Sequence, residues 1–165
     1  MDEKDNGLVS LVAPMYNEEE VIGLFFATVE EILDKAKIPY EVICVNDGST
    51  DNTLSSLKGY SESDPRIKIV NLSRNYGKEV ALTAGLDHAR GAAVIPIDCD
   101  LQDPPDLIPK MYEKWREGYQ VVLAKRIDRA SDSPGKRFSS SLFLSLIHIS
   151  EPTRLLSISY AVFCL

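Results

Sequence analysis

Apolar residues recur along this chain in two alternating periods. Residues 8–14 (LVSLVAP) form a short apolar run closed by a proline, as a buried strand would be. Downstream, Val21, Phe25, Val29 and Ile32/Leu33 follow at helical spacing, behind an Asn17/Glu20 pair that reads as a capping box. The rhythm then repeats. Strands are predicted at 40–45, 67–72, 93–97 and 119–124, and helices at 51–60, 78–89 and 105–117, with Gly91 and Gly118 as stops for the last two. Such alternation indicates βαβ units and a mostly parallel sheet with helices on its faces.

In sheets of this kind ligands bind beyond the carboxyl ends of the strands. Three polar clusters fall at those ends: Tyr16-Asn17-Glu18, Asn46-Asp47-Gly48-Ser49, and the stretch from Asp98 to Asp103. The last cluster is the most informative. Clustered carboxylates repel one another unless positive charge or water lies between them. An EF-hand would need Gly at loop position six and Glu at twelve, where this loop has Asp103 and Pro109. A solvated loop and a divalent-cation site remain, and the position directly after a buried strand, facing two other polar strand ends, favours the cation. Oxygen ligands select hard ions, Mg²⁺ or Mn²⁺, which complete their shells with substrate phosphates. Neither GxxxxGK[ST] nor GxGxxG occurs, which points away from P-loop and nicotinamide-binding proteins.

Composition sharpens this picture. The 165 residues suffice for one domain, and a net charge of −7 argues against a general nucleic-acid binder. Three widely spaced cysteines without a CxxC suggest a reducing compartment and neither a disulfide frame nor a zinc site. The polar start MDEKDNG is unlike a signal peptide, and no apolar run reaches the ~18 residues of a membrane helix. Residues 125–137 (KRIDRASDSPGKR) are locally basic, five cations against two anions, and read either as a solvated loop or as a clamp for an anionic group near a membrane surface.

Four segments carry a family resemblance: APMYNEEE (13–20), VNDGSTDNT (45–53), NLSRNYGKEVALTAGLDHARG (71–91) and IPIDCDLQDPPDLI (95–108). Together they resemble the family 2 glycosyltransferases of GT-A fold, most of all the polyprenyl-phosphate branch of bactoprenol glucosyltransferases and dolichyl-phosphate mannose synthases. The resemblance implies a three-layer, Rossmann-like α/β fold and an inverting, metal-dependent transfer of a hexose. The donor would be a nucleotide-diphosphate sugar and the acceptor a polyprenyl phosphate, at the cytoplasmic face of the membrane in the full-length protein. It assigns Pro14, Tyr16 and Glu18 to the nucleoside, Val45 and Asp47 to the base, and Asp98, Cys99 and Asp100 to ribose, diphosphate and Mg²⁺ or Mn²⁺. Gln102 joins the metal shell, Lys78 the donor site, and Arg126 the diphosphate or acceptor phosphate. Cys99 stands where the family usually has Ala, a small departure.

The end of the chain reads differently. LSLIHISEPTR, from Leu144, resembles the translation of a transposase adapter used in sequencing libraries. The expected organisation is therefore a polar N-terminus (1–7), a truncated GT-A domain (8–143) and a non-native tail (144–165) that contributes nothing to the fold. A chain cut in this way is expected to bind donor without completing transfer.

Overall fold

The computed structural model describes residues 7–102, 104–125 and 158–164. Its strands are β1 (Val9–Met15), β2 (Tyr40–Asn46), β3 (Ile67–Asn71), β4 (Ala93–Pro96), β5 (Val121–Lys125) and β6 (Ile158–Cys164). The helices between them are α1 (Ile22–Ala36), α2 (Thr53–Ser63), α3 (Lys78–Leu86) and α4 (Leu107–Arg116). The sheet runs β3-β2-β1-β4-β6-β5, parallel from β3 to β4 and antiparallel where β6 pairs with β4 and β5.

The sheet is covered on both sides, so its central strands are apolar in almost every position and successive residues feed opposite cores. On β1, Val9, Leu11, Ala13 and Met15 pack with Phe25, Phe26, Val29 and Leu33 of α1, Leu57 of α2, and Ile108 and Met111 of α4. The intervening Val12 joins Ile43 and Val45 of β2 and Ala81 of α3 on the other face. Burying each of the valine, leucine, isoleucine, phenylalanine and methionine side chains among them contributes about 1.5–3 kcal/mol. Helix α3 approaches closely because Gly85 has no side chain; a Cβ there would lie 2.3 Å from Val12 Cγ1 and 2.9 Å from Val45 Cγ2.

This path defines the binding edge. From β1 the chain steps outward to β2 and β3, then returns to lay β4 on the opposite side of β1. The direction of winding reverses between β1 and β4, and in open α/β sheets the crevice beyond the carboxyl ends at that reversal receives the ligand.

Two expectations change here. The Asn17/Glu20 capping box does not form: α1 opens at Ile22, Asn17 adopts φ 56°, and its side-chain carbonyl accepts hydrogen bonds from Thr50. The tail, expected to stand apart from the fold, supplies β6, which fills the slot between β4 and β5. Ladder hydrogen bonding is made by backbone and is indifferent to side-chain identity, so the β-prone stretch ISYAVFC satisfies an open edge.

Candidate functional site

The loops after β1 and β2 are tied together before any ligand is considered. The Asn17 N–H donates to Ser49 Oγ at 3.0 Å, Glu18 N–H to Thr53 Oγ1 at 2.8 Å, and Asn52 N–H to Glu19 Oε2 at 2.7 Å. Gly48, at φ 67°, lies so close to the next loop that a Cβ would meet the Arg74 carbonyl carbon at 2.3 Å. That clash is with backbone, so only glycine fits.

Asp47 is almost fully buried at the end of β2, 3% exposed. One of its carboxylate oxygens accepts the Tyr76 N–H at 2.8 Å and the other the Gly77 N–H at 2.9 Å. These bonds set the turn that opens α3 and carries Lys78 to the cleft. The Lys78 ammonium contacts Asp98 beyond β4, 2.7 Å from Oδ1 and 2.8 Å from Oδ2. Asp100 follows on an exposed turn, where its Oδ1 accepts the Gln102 N–H at 3.1 Å and Leu101 holds φ 54°. A bulky residue rarely adopts that conformation, and strained backbone of this kind concentrates at binding loops.

The resulting cleft encloses about 320 Å³. Pro14, Tyr16 and Glu18 form one wall, Asp47 and Lys78 the second, and Asp98, Cys99 and Asp100 the third. Burial, then the nearby Asp100 charge, raises the Glu18 carboxyl above its ordinary value, against a lowering hydrogen bond from Cys99. Burial, then Glu18 and Asp100, pushes the Cys99 thiol up to about 12, so it stays protonated and donates.

Eight of the expected site residues thus converge. Val45 does not: it has no exposed surface and packs in the core against α3, outside the cleft lining. Gln102 is exposed and lies outside the cleft lining, and Arg126 falls outside the described residues. The cleft also includes Met15, Asn75 and Gly77, which the sequence reading passed over. The signal for the last two was the NYGK run, a glycine directly before a helix start.

The sequence model of Glycosyl transferase family 2 matches residues 10–164, and the chain belongs to that family. A glycosyltransferase of Synechocystis, described as uncharacterized, is 54% identical over 139 residues, which cover 84% of this chain and 44% of that protein. The bactoprenol glucosyl transferase of Shigella phage SfV is 49% identical over 145 residues, covering 87% of this chain and 47% of the relative. The chain therefore spans less than half the length of the curated relatives it matches.

Among solved structures, a mannosyltransferase of Pyrobaculum calidifontis in complex with GDP-Man and Mn²⁺ superposes with a TM-score of 0.65 at 25% identity, over 94% of this chain and 44% of that one. Staphylococcus aureus TarS in complex with UDP-GlcNAc gives 0.53 at 26% identity, over 76% and 36%. The fold is that of GT-A glycosyltransferases.

Proposed function

We propose that the protein is an inverting hexosyltransferase that moves a sugar from a nucleotide diphosphate to a polyprenyl phosphate at the cytoplasmic face of a membrane, with Mg²⁺ or Mn²⁺. The observation that carries this reading is the convergence of Glu18, Asp47, Asp98 and Asp100 with Lys78 at the point where the sheet reverses its winding. Support for the acceptor comes from the relatives named bactoprenol glucosyl transferase. For donor and metal, it comes from the mannosyltransferase solved with GDP-Man and Mn²⁺.

The residues suit a hard cation. Asp98 and Asp100 offer oxygen ligands, and the Gln102 backbone N–H holds Asp100 from outside the cleft lining. Among the described residues no three His, Cys, Asp or Glu side chains form a closed metal cage. An open pair is what Mg²⁺ commonly takes, because it keeps several waters and shares substrate phosphates. When bound, such an ion supplies positive charge against the charge that builds on the departing diphosphate.

The protein's own part is binding and orientation. Tyr16 and Glu18 hold the nucleoside, Asp47 faces the base while fixing the turn before α3, and Lys78 and Arg126 meet phosphate. A phosphate monoester is largely ionised at neutral pH, so attack by a polyprenyl phosphate needs no general base.

Calorimetry of a nucleotide sugar binding with Mg²⁺ or Mn²⁺, repeated in excess chelator and with Asp100→Ala, tests the site. Undiminished binding in either control sinks the metal assignment. A narrower reading is donor binding without transfer. A transfer assay with polyprenyl phosphate beside the calorimetry separates the two. Transfer to a sugar hydroxyl instead would replace the acceptor and leave the donor site standing.

A further inference from the structure

We propose that Lys78 is an exchangeable counterion: it neutralises Asp98 in the ligand-free cleft and passes to the donor diphosphate when a divalent cation takes Asp98. The inference rests on the functional reading above and adds a sequence of charge partners to it.

Four carboxylates line the cleft, Glu18, Asp47, Asp98 and Asp100, and among its described lining residues Lys78 alone is cationic. Its ammonium lies within 2.8 Å of both Asp98 oxygens, so it occupies the carboxylate a metal would need. The pair is not locked in place. The two side chains are 61% and 42% exposed, and ion pairs so open to water are weak and readily exchanged.

The backbone beneath Lys78 is, in contrast, fixed. Asp47 grips the two preceding N–H groups, and Ala81 and Gly85 seat α3 on Val12 and Val45. Only the four-carbon stem is left to move. Lysine is also the first residue of α3, where the helix dipole disfavours a cation and favours an anion. Its position there is accounted for by its partners in the cleft. A dication on Asp98 would repel an ammonium held at the same carboxylate, and a diphosphate beside it offers the displaced charge a new acceptor.

The test measures binding, not turnover. Mn²⁺ alone and a nucleoside diphosphate with Mn²⁺ are titrated by calorimetry into the 165-residue chain, Lys78→Met and Lys78→Arg, with thermal melts as the folding control. Lys78→Met should bind Mn²⁺ alone about threefold to fivefold more tightly, since its competitor is gone. It should bind the nucleoside diphosphate with Mn²⁺ about tenfold more weakly. Lys78→Arg should follow the parent in both. Unchanged or weaker Mn²⁺ binding by Lys78→Met overturns the counterion half, and unchanged nucleotide binding overturns the exchange. A parent chain that binds Mn²⁺ but no nucleoside diphosphate overturns the functional reading itself, and with it the exchange, whatever the variants do.

Discussion

Asp47 holds Gly77: a carboxylate oxygen at the end of β2 accepts the N–H of the residue that opens α3, at 2.9 Å. A second bond, to Tyr76, makes the grip two-handed. The residue expected to read a base therefore also builds the wall of its own site. Asp47→Ala should lower stability by about 1–3 kcal/mol, the cost of leaving partly buried N–H groups without acceptors. Nucleotide binding should weaken further than that of Lys78→Met, because the whole turn loosens. Urea unfolding set beside calorimetry checks both. A variant with parental stability and lost binding would assign Asp47 to the ligand alone.

Gly48 supports the same turn from below. Any side chain there meets the Arg74 backbone, at a φ that L-residues avoid. Gly48→Ala should destabilise the fold by about 2 kcal/mol or more, through combined overpacking and strain. Gly59, with nothing within 4 Å of a built Cβ, is the control: Gly59→Ala lies in the exposed interior of α2 and should stabilise by about 0.5–1 kcal/mol. Thermal melts of the two variants should move in opposite directions.

Far from the cleft, Glu41 ties the amino-terminal ends of the strands. It is 4% exposed and accepts the Ser10 hydroxyl at 2.6 Å, the Arg90 N–H at 2.7 Å and the Lys68 ammonium. Burial alone would raise its carboxyl, but the bonds from Lys68, Ser10 and the Arg90 N–H outweigh it and hold the group below its ordinary 4.5. A depressed carboxyl stabilises the fold above its unfolded value, and that contribution disappears as pH falls through the folded one. Urea midpoints measured from pH 7 down to pH 3 should fall on the acid side in the parent. In Glu41→Gln they should start lower and vary less. Parallel curves would show that Glu41 does not titrate with folding.

The parallel core was legible because a sheet covered on both faces writes its strands as continuous apolar runs and its crossovers as helical periods. The cleft was legible because polar clusters at strand ends have one place to go once β1 and β4 lie side by side. What escaped follows from the same physics. Val45 stands one residue before Asn46-Asp47, and at period two a single step separates core from loop. Asn17 has the chemistry of a cap, yet a longer-range partner, Thr50, took its carbonyl. Glu41, a charge inside YEVICVN, gives no hint of Lys68 or Arg90, because tertiary partners leave no local pattern.

The last expectation concerns the tail. Strand β6 lies between β4 and β5, whereas every described residue lining the cleft lies at or before Asp100. The pairing of β3, β2, β1 and β4 does not involve β6, and the turns of the site are held by Asn17, Asp47, Ser49 and Thr53. A chain ending at residue 143 should therefore bind a nucleoside diphosphate with Mn²⁺ as the 165-residue chain does. Its solubility is a separate matter. Removing β6 leaves β4 as an unpaired edge and takes from β5 the strand it pairs with, and such edges template association. Size-exclusion chromatography with light scattering should show more association in the shortened chain, while calorimetry shows unchanged nucleotide affinity. Lost affinity on deletion would bind the tail to the site and contradict the separation of cleft from β6.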